Sequence, residues 1–372
     1  MTRSNVCSDV LIVGGGVIGL TTALKLAQDG VSVLVCDRQE SGREASWAGA
    51  GMLPPGNLPY AATPEARLRS YSAELWKEFS VELRETTGID NGHRVCGAVE
   101  FCAETDAESQ GSAAMWNSER LRIETLDAAG IEKRCGAASL SFTEALFLPD
   151  FAQVRNPRHL KALYSACQRV GVQFAENVGD IRFIHDGNRI AQIQSAKCSF
   201  SFEKVCITAG AWSAGLLNQL EIQVPVKPVR GQIVLLRNHG KPIPSVVELG
   251  RRYIVPRDDG LVLVGSTQED AGFEKRNTAE GVRSLIQLAE MLCPALREAE
   301  VVRCWSGLRP ASIDELPLIG AFPQFNNLFA GTGHFRSGLQ MSIGTSMILR
   351  ELLQSRPSPV SLSGLEAHRF SN

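Results

Sequence analysis

The chain has 372 residues, of which 44% are hydrophobic and 21% charged, and its formal net charge is −2. That is enough apolar chain for a large core and, by length, for two domains. The near-neutral balance excludes the basic footprint of a nucleic-acid binder, and no apolar run approaches the ~20 residues of a membrane span. Residues 1–8 lack the apolar stretch of a secretory signal, so a cytoplasmic location is expected. The ten cysteines are scattered without a CxxC pair, and Cys36 and Cys206 sit inside apolar strand patterns. They read as reduced, buried, small hydrophobes. The six histidines are dispersed, and no spacing among them points to a metal site.

The first element carries the most information. Val10-Leu11-Ile12-Val13 is a continuous apolar run with β-branched residues, as expected of a strand buried on both faces. Gly14-Gly15-Gly16-Val17-Ile18-Gly19 then fits GxGxxG, and a helix is predicted over 17–28, with Leu20, Ala23, Leu24 and Ala27 on one side. Gly30 stops it, residues 31–36 read as the next strand, and Asp37 ends that strand near the ~20-residue offset of a ribose-binding acid. Each residue type has a physical use. Gly14 permits the tight turn, Gly16 lets a pyrophosphate approach the backbone, and Gly19 lets helix and strand pack closely. The helix N-terminus offers unpaired N–H groups and partial positive charge to phosphates. Asp37 can accept from ribose hydroxyls. The unit therefore predicts a dinucleotide site.

Further along, Thr63-Pro64 reads as a capped helix start, followed by helix over 65–86 with Leu68, Tyr71, Leu75, Phe79 and Leu83 at helical spacing. A strand is predicted over 97–102, at least one short helix within 118–134, and a helix over 158–170 behind Asn156-Pro157. Strands follow at 172–178 and 181–184, then a hairpin turn at Asp186-Gly187-Asn188, then strand again at 189–195 and 200–202. Residues 204–213 read as a buried strand entering a small-residue turn around Gly210, where backbone can approach a ligand; an ordinary strand-to-helix junction would look the same. Strands at 231–236, 252–256 and 261–266 come next, the last two joined by Asp258-Asp259-Gly260, and then a helix over 279–291. Finally Leu328-Phe329-Ala330 leads into a second glycine-rich turn over 331–338, and a helix is predicted over 339–353. A cofactor with two polar ends needs a second cradle of this kind, and a plain nicotinamide does not.

With both ends read, the chain resembles the flavoproteins of the D-amino acid oxidase superfamily, and within it the glycine oxidases of thiamine biosynthesis. The resemblance rests on the GGGVIG turn with Asp37, on Ala45-Ser46-Trp47-Ala48-Gly49-Ala50-Gly51-Met52-Leu53, and on the segment 207–213. It rests also on Tyr253-Ile254-Val255-Pro256-Arg257, Trp305-Ser306-Gly307-Leu308-Arg309-Pro310 and the turn 333–338. The implied fold is α/β: a Rossmann-like FAD-binding domain of mixed sheet with helices, interleaved with an antiparallel-sheet substrate domain. The expected division is 1–85, 150–218 and 300–372 for FAD, and 86–149 and 219–299 for substrate.

The resemblance implies non-covalent FAD. Val17, Ile18, Asp37, Arg38, Ala45, Ser46, Ala50, Gly51 and Met52 match the family's FAD contacts, and Val178 the position whose backbone meets adenine. His334, Phe335, Arg336, Ser337, Gly338, Leu339 and Gln340 match the segment along the flavin ring. The helix behind that segment would point its N-terminus at the flavin's pyrimidine edge. No cysteine occurs from Trp305 onward, where a tethering thiol would fall. Arg309 matches the arginine that clamps the substrate carboxylate, a task suited to a guanidinium's paired donors. Without the family it would read as a surface ion pair. Tyr253 matches a tyrosine that closes on the same carboxylate, and would otherwise read as strand packing. Arg336 matches a second substrate position, with the flavin carbonyl or a backbone oxygen as its other possible partners.

The implied activity is oxidative deamination of glycine or another small amino acid or amine. Hydride goes to flavin, dioxygen is the acceptor and hydrogen peroxide the product, in the service of thiamine thiazole synthesis. The alternative is an FAD-dependent D-amino acid or sarcosine dehydrogenase that uses a carrier as acceptor. Expected partners are the small substrate, dioxygen and further copies of the chain in a homo-oligomer. Two departures touch the substrate. Gln268 stands where glycine oxidases carry a cavity-lining methionine, and Trp47 where the family has a small residue.

Overall fold

A computed structural model describes residues 4–101, 107–135 and 142–370. Two eight-stranded sheets and a small three-stranded one form its framework. The first sheet has a parallel centre that runs Gln173–Ala175, Val33–Cys36, Ser4–Val13, Cys198–Ile207 and Leu328–Thr332. The hairpin of Ile181–Asp186 and Arg189–Ser195 joins antiparallel to the first half of Cys198–Ile207, and Leu318–Ala321 joins antiparallel to the last strand.

Alternation sorts the central strands between two cores. Val10, Ile12, Val33 and Val35 face the helices Val17–Gln28, Pro64–Thr87, Asn156–Arg169 and Ser342–Leu353. Leu11, Val13, Leu34 and Cys36 face the hairpin and the segment around Leu217 and Leu220. The helix Pro64–Thr87 begins at a side-chain cap: the Thr63 hydroxyl accepts from Ala66 N–H at 3.1 Å ahead of Pro64.

The second sheet runs Glu300–Ser312, Val226–Arg237, Leu261–Gly265, Arg252–Pro256, Val246–Leu249, Ala98–Phe101, Ala145–Leu148 and Glu124–Leu126. It is antiparallel except where Val246–Leu249 meets Ala98–Phe101. The helix Ala279–Leu292 buries Leu285, Leu288 and Leu292 against one face, among Val234, Leu236, Val262 and Val264. The opposite face looks back toward the first sheet, and Ala50 packs there beside Ile233 and Tyr253.

Several expectations shift. The last helix begins at Ser342, because residues 338–341 form a turn first. The strand predicted at 200–202 and the one expected to open the segment 204–213 are one strand, Cys198–Ile207. Within 118–134 lie both a strand, Glu124–Leu126, and a helix that extends to Cys135, and the helix Ala107–Ser118 precedes them unforeseen. Cys102, the last residue of the strand expected over 97–102, lies outside the described residues. The 13-residue strand Glu300–Ser312 belongs to the second sheet, paired along Val226–Arg237. The expected boundary at 300 had assigned it to the first layer.

Candidate active site

One continuous cavity of about 870 Å³ lies between the sheets, and it joins the Asp37 end of the first sheet to the Arg309 end of the second. At the near end Gly14 leaves the first strand with φ +111, and a Cβ there would fall 2.6 Å from the Thr208 carbonyl. Gly16 caps the following helix without any side chain, so the helix's first turn stays approachable from the cavity. Gly19 does not line the cavity; a Cβ on it would meet the Gly14 carbonyl at 2.0 Å, so its smallness serves helix-to-strand packing. The Ser46 hydroxyl accepts from Val17 N–H at 2.9 Å and ties the 45–53 turn to the helix start.

Asp37 accepts from Gly15 N–H at 2.8 Å and from Gln39 N–H at 3.0 Å, one on each oxygen. Burial lifts its carboxyl above the ordinary range, and these two N–H groups pull the other way. Arg38 stacks 3.8 Å above the Trp212 ring and pairs with Glu44 at 3.2 Å. Val178 donates its N–H to the Asp37 carbonyl at 3.1 Å, which brings it to the same end.

The second glycine turn closes the far side. Phe335 N–H donates to the Pro310 carbonyl at 2.8 Å, and the Thr332 hydroxyl to the Gly210 carbonyl at 3.1 Å. Both turns after the parallel strands are thereby joined. The Gln340 carbonyl accepts from Ser72 at 2.6 Å and from the Trp76 indole at 2.8 Å. His334 lies 2.9 Å from the Thr345 hydroxyl, and burial pushes its imidazole down to about 3, so it is neutral.

The roof is the second sheet. Tyr253 pairs with Gly265 across one strand boundary, where a Cβ would stand 2.6 Å from the tyrosine ring. Arg309, whose own partner is Val229, reaches over Gly231: a Cβ there would be 2.2 Å from the guanidinium. Arg309 donates to the Thr267 carbonyl at 3.2 Å and to the Ser266 hydroxyl. Among the described residues it has no carboxylate partner within ion-pair distance. Arg336 donates to the Arg251 carbonyl at 2.7 Å and stands exposed at the cavity wall. Arg257 supports the floor, donating to the carbonyls of Ala50 at 2.5 Å and Val154 at 2.9 Å.

The cavity thus brings together Gly14, Gly16, Val17, Ile18, Asp37, Arg38, Ala45, Ser46, Ala50, Gly51, Met52 and Val178 with Gly210, Tyr253, Arg309 and the turn 334–340. Gln268 is a correction. It does not line the cavity; its side chain is exposed and accepts from Arg251 at 3.3 Å. Trp47 also turns aside, edge-on to Trp305 with ring centres 5.5 Å apart. Sequence reasoning passed over Glu100 and Glu248, both in the wall, because only the strand register makes them neighbours.

These residues fit a flavin dinucleotide. Side-chain-free backbone lines the near end, and the buried Asn156 Oδ1, in the wall between the two ends, has no partner among the described residues. Fold and cavity together define an FAD-dependent oxidoreductase. The chain belongs to the DAO family of FAD dependent oxidoreductases, whose family model matches residues 9–352. It is 35% identical to the glycine oxidase of Pseudomonas putida over 346 residues, 92% of this chain and 94% of that protein. It is 30% identical over 366 residues to the bifunctional ThiO/ThiG protein of Trichormus variabilis, covering 97% of this chain and 55% of that one. The crystal structure of glycine oxidase from Geobacillus kaustophilus superposes with a TM-score of 0.90 at 30% identity, covering 99% of each chain. No helix of the described residues is long and apolar enough to cross a membrane.

Proposed function

We propose that this protein oxidises glycine, or another small amino acid or amine, with dioxygen as acceptor and hydrogen peroxide as product. The observation that carries the reading is the pairing of Arg309 and Tyr253 on the cavity roof, each lying over a glycine that makes room for it. In this reading Arg309 and the Tyr253 hydroxyl bind the substrate carboxylate, through charge-assisted hydrogen bonds on one side and a phenolic donor on the other. Arg336 adds positive charge at the same wall.

Gly14, Gly16, Val17 and Ile18 would cradle the pyrophosphate, Asp37 would meet the adenosine ribose, and Arg38 and Val178 would stand near the adenine. Ala45, Ser46, Ala50, Gly51, Met52, Gly210 and the turn 334–340 would hold the flavin. When bound, FAD would supply a two-electron acceptor for the substrate's α-carbon hydride that dioxygen can reoxidise. What the chain itself contributes is position: it fixes the carboxylate and excludes water between the sheets. A cytoplasmic location, a homo-oligomeric assembly and a role in supplying thiamine thiazole synthesis belong to the same reading, supported by the likeness to glycine oxidases.

The test is to load the protein with FAD and add glycine. Oxygen uptake matched by peroxide release is expected. Reduction of an artificial carrier without peroxide would favour the dehydrogenase alternative, and a protein that takes up no FAD would overturn the reading.

A further inference from the structure

A straight row of cross-strand partners crosses the cavity face of the second sheet: Glu100, Glu248, Tyr253, Gly265, Ile233 and Trp305. Directly paired residues project to the same face. Glu100, Glu248, Tyr253 and Ile233 all line the cavity. Arg309 holds the Gly265 side of Tyr253 through its bonds to Ser266 and Thr267. The carboxylates hold the opposite side, one and two strands away at about 4.8 Å per strand. The substrate end therefore has a cationic flank and an anionic flank with Tyr253 between them.

Among the described residues the anionic flank has no ion-paired cation. The Glu248 side chain makes no hydrogen bond or ion pair with any of them, and the Glu100 side chain accepts only the Trp116 indole N–H, at 2.9 Å. Arg336 acts on Glu248 through space without pairing with it, while one of its guanidinium nitrogens donates to the Arg251 carbonyl at 2.7 Å. Burial first, and then the facing Glu100 carboxylate, push Glu248 up to about 8, and Arg336 offsets this only in part. Two carboxylates side by side without an ion-paired cation are costly unless a proton or a cation joins them.

We propose that Glu248 and Glu100 form a subsite for an ammonium group at the far end of the substrate. The preferred substrates are then small basic amino acids, with glycine a minimal substrate that leaves this subsite to solvent. The proposal rests on the amino-acid oxidase reading above. A carboxylate held by Arg309 and Tyr253 puts the side chain of such an amino acid on the line toward Glu248. A substrate ammonium bound there takes the place of the proton the pair otherwise carries, and that proton leaves to water.

The test compares kcat/KM of the FAD-loaded protein, by peroxide release, for 2,4-diaminobutyrate against norvaline and for ornithine against norleucine, each as both enantiomers. Each pair differs by an ammonium in place of a methyl group. The basic member of at least one enantiomeric series is expected to be favoured by about tenfold or more, as a charged hydrogen bond allows. Glu248→Gln, with its flavin spectrum checked, is expected to bring that ratio close to one. Wild-type protein that prefers the neutral members overturns the proposal without need of any variant, as does an unchanged ratio in Glu248→Gln. Glycine oxidised without a basic preference overturns this proposal alone, whereas no oxidation of any amino acid overturns the parent reading too.

Discussion

Arg309 illustrates how much of the site depends on single residues. Among the described residues it is a cation on a sheet face with only backbone and hydroxyl acceptors, and Gly231 beneath it leaves room for its guanidinium. Arg309→Ala is expected to raise the apparent KM for glycine far more than it weakens FAD retention. Loss of such a charged partner costs on the order of 2–5 kcal/mol of binding. Steady-state kinetics beside a flavin-release titration checks this, and an unchanged KM would remove Arg309 from the substrate site. That Arg309 and Tyr253 would face the cavity was legible only through the family resemblance, because they sit in short blocks with characteristic neighbours. Gln268 was misplaced because it lies just past the end of a strand, where sequence alone does not say which way a side chain turns. Glu248 stayed invisible because nothing local marks a glutamate whose meaning comes from residues 100 and 253 across two strand boundaries.

At the scale of elements, the helix Pro64–Thr87 is tied to the cavity rim by a buried ion pair. Arg69 is 3% exposed, pairs with Glu119 and Glu65, and donates to the Pro55 carbonyl. The segment after Met52 and Leu53 thereby gains an anchor, reinforced by Asn57 N–H donating to the Ser70 hydroxyl at 3.0 Å. Glu119→Ala would leave a buried guanidinium short of its partner, at a cost of about 3 kcal/mol. A denaturant midpoint well below wild type is expected, and equal stability would show the pair to be dispensable. The elements that read correctly from sequence were those with local grammar: the glycine turn at 14–19, the Thr63 cap and the Asp186-Gly187-Asn188 hairpin. The strand Glu300–Ser312 escaped because its first residues, Glu300 to Arg303, are all exposed, and because Gly307 and Pro310 break the pattern later. Its identity as a strand comes from its partner.

For the whole molecule, two imidazoles link stability to pH. In the unfolded chain each titrates near 6.5, whereas burial pushes folded His159 and His334 down to about 3. Between those values the unfolded chain binds protons that the folded chain refuses. Stability therefore rises with pH across that window and is lost on acidification, by up to about 1.4 kcal/mol per pH unit for each histidine. Urea midpoints should fall between about pH 6.5 and about pH 4.5. His334→Gln, which keeps a polar group facing Thr345, should flatten the slope; an identical slope would mean that His334 does not contribute.

The order of the first sheet has a consequence for how the protein is made. Ser4–Val13 is synthesised long before one of its neighbours, Cys198–Ile207, which in turn borders Leu328–Thr332. The turn through Gln340 that walls the cavity follows only after that. A nascent chain carries its nucleotide cradle well before it has an enclosed pocket, because residues 328–353 must be out first. Flavin capture is accordingly a late event, and the apolar faces of Val10, Leu11, Ile12 and Val13 must wait, shielded by local helices or by chaperones, for partners nearly the length of the chain away.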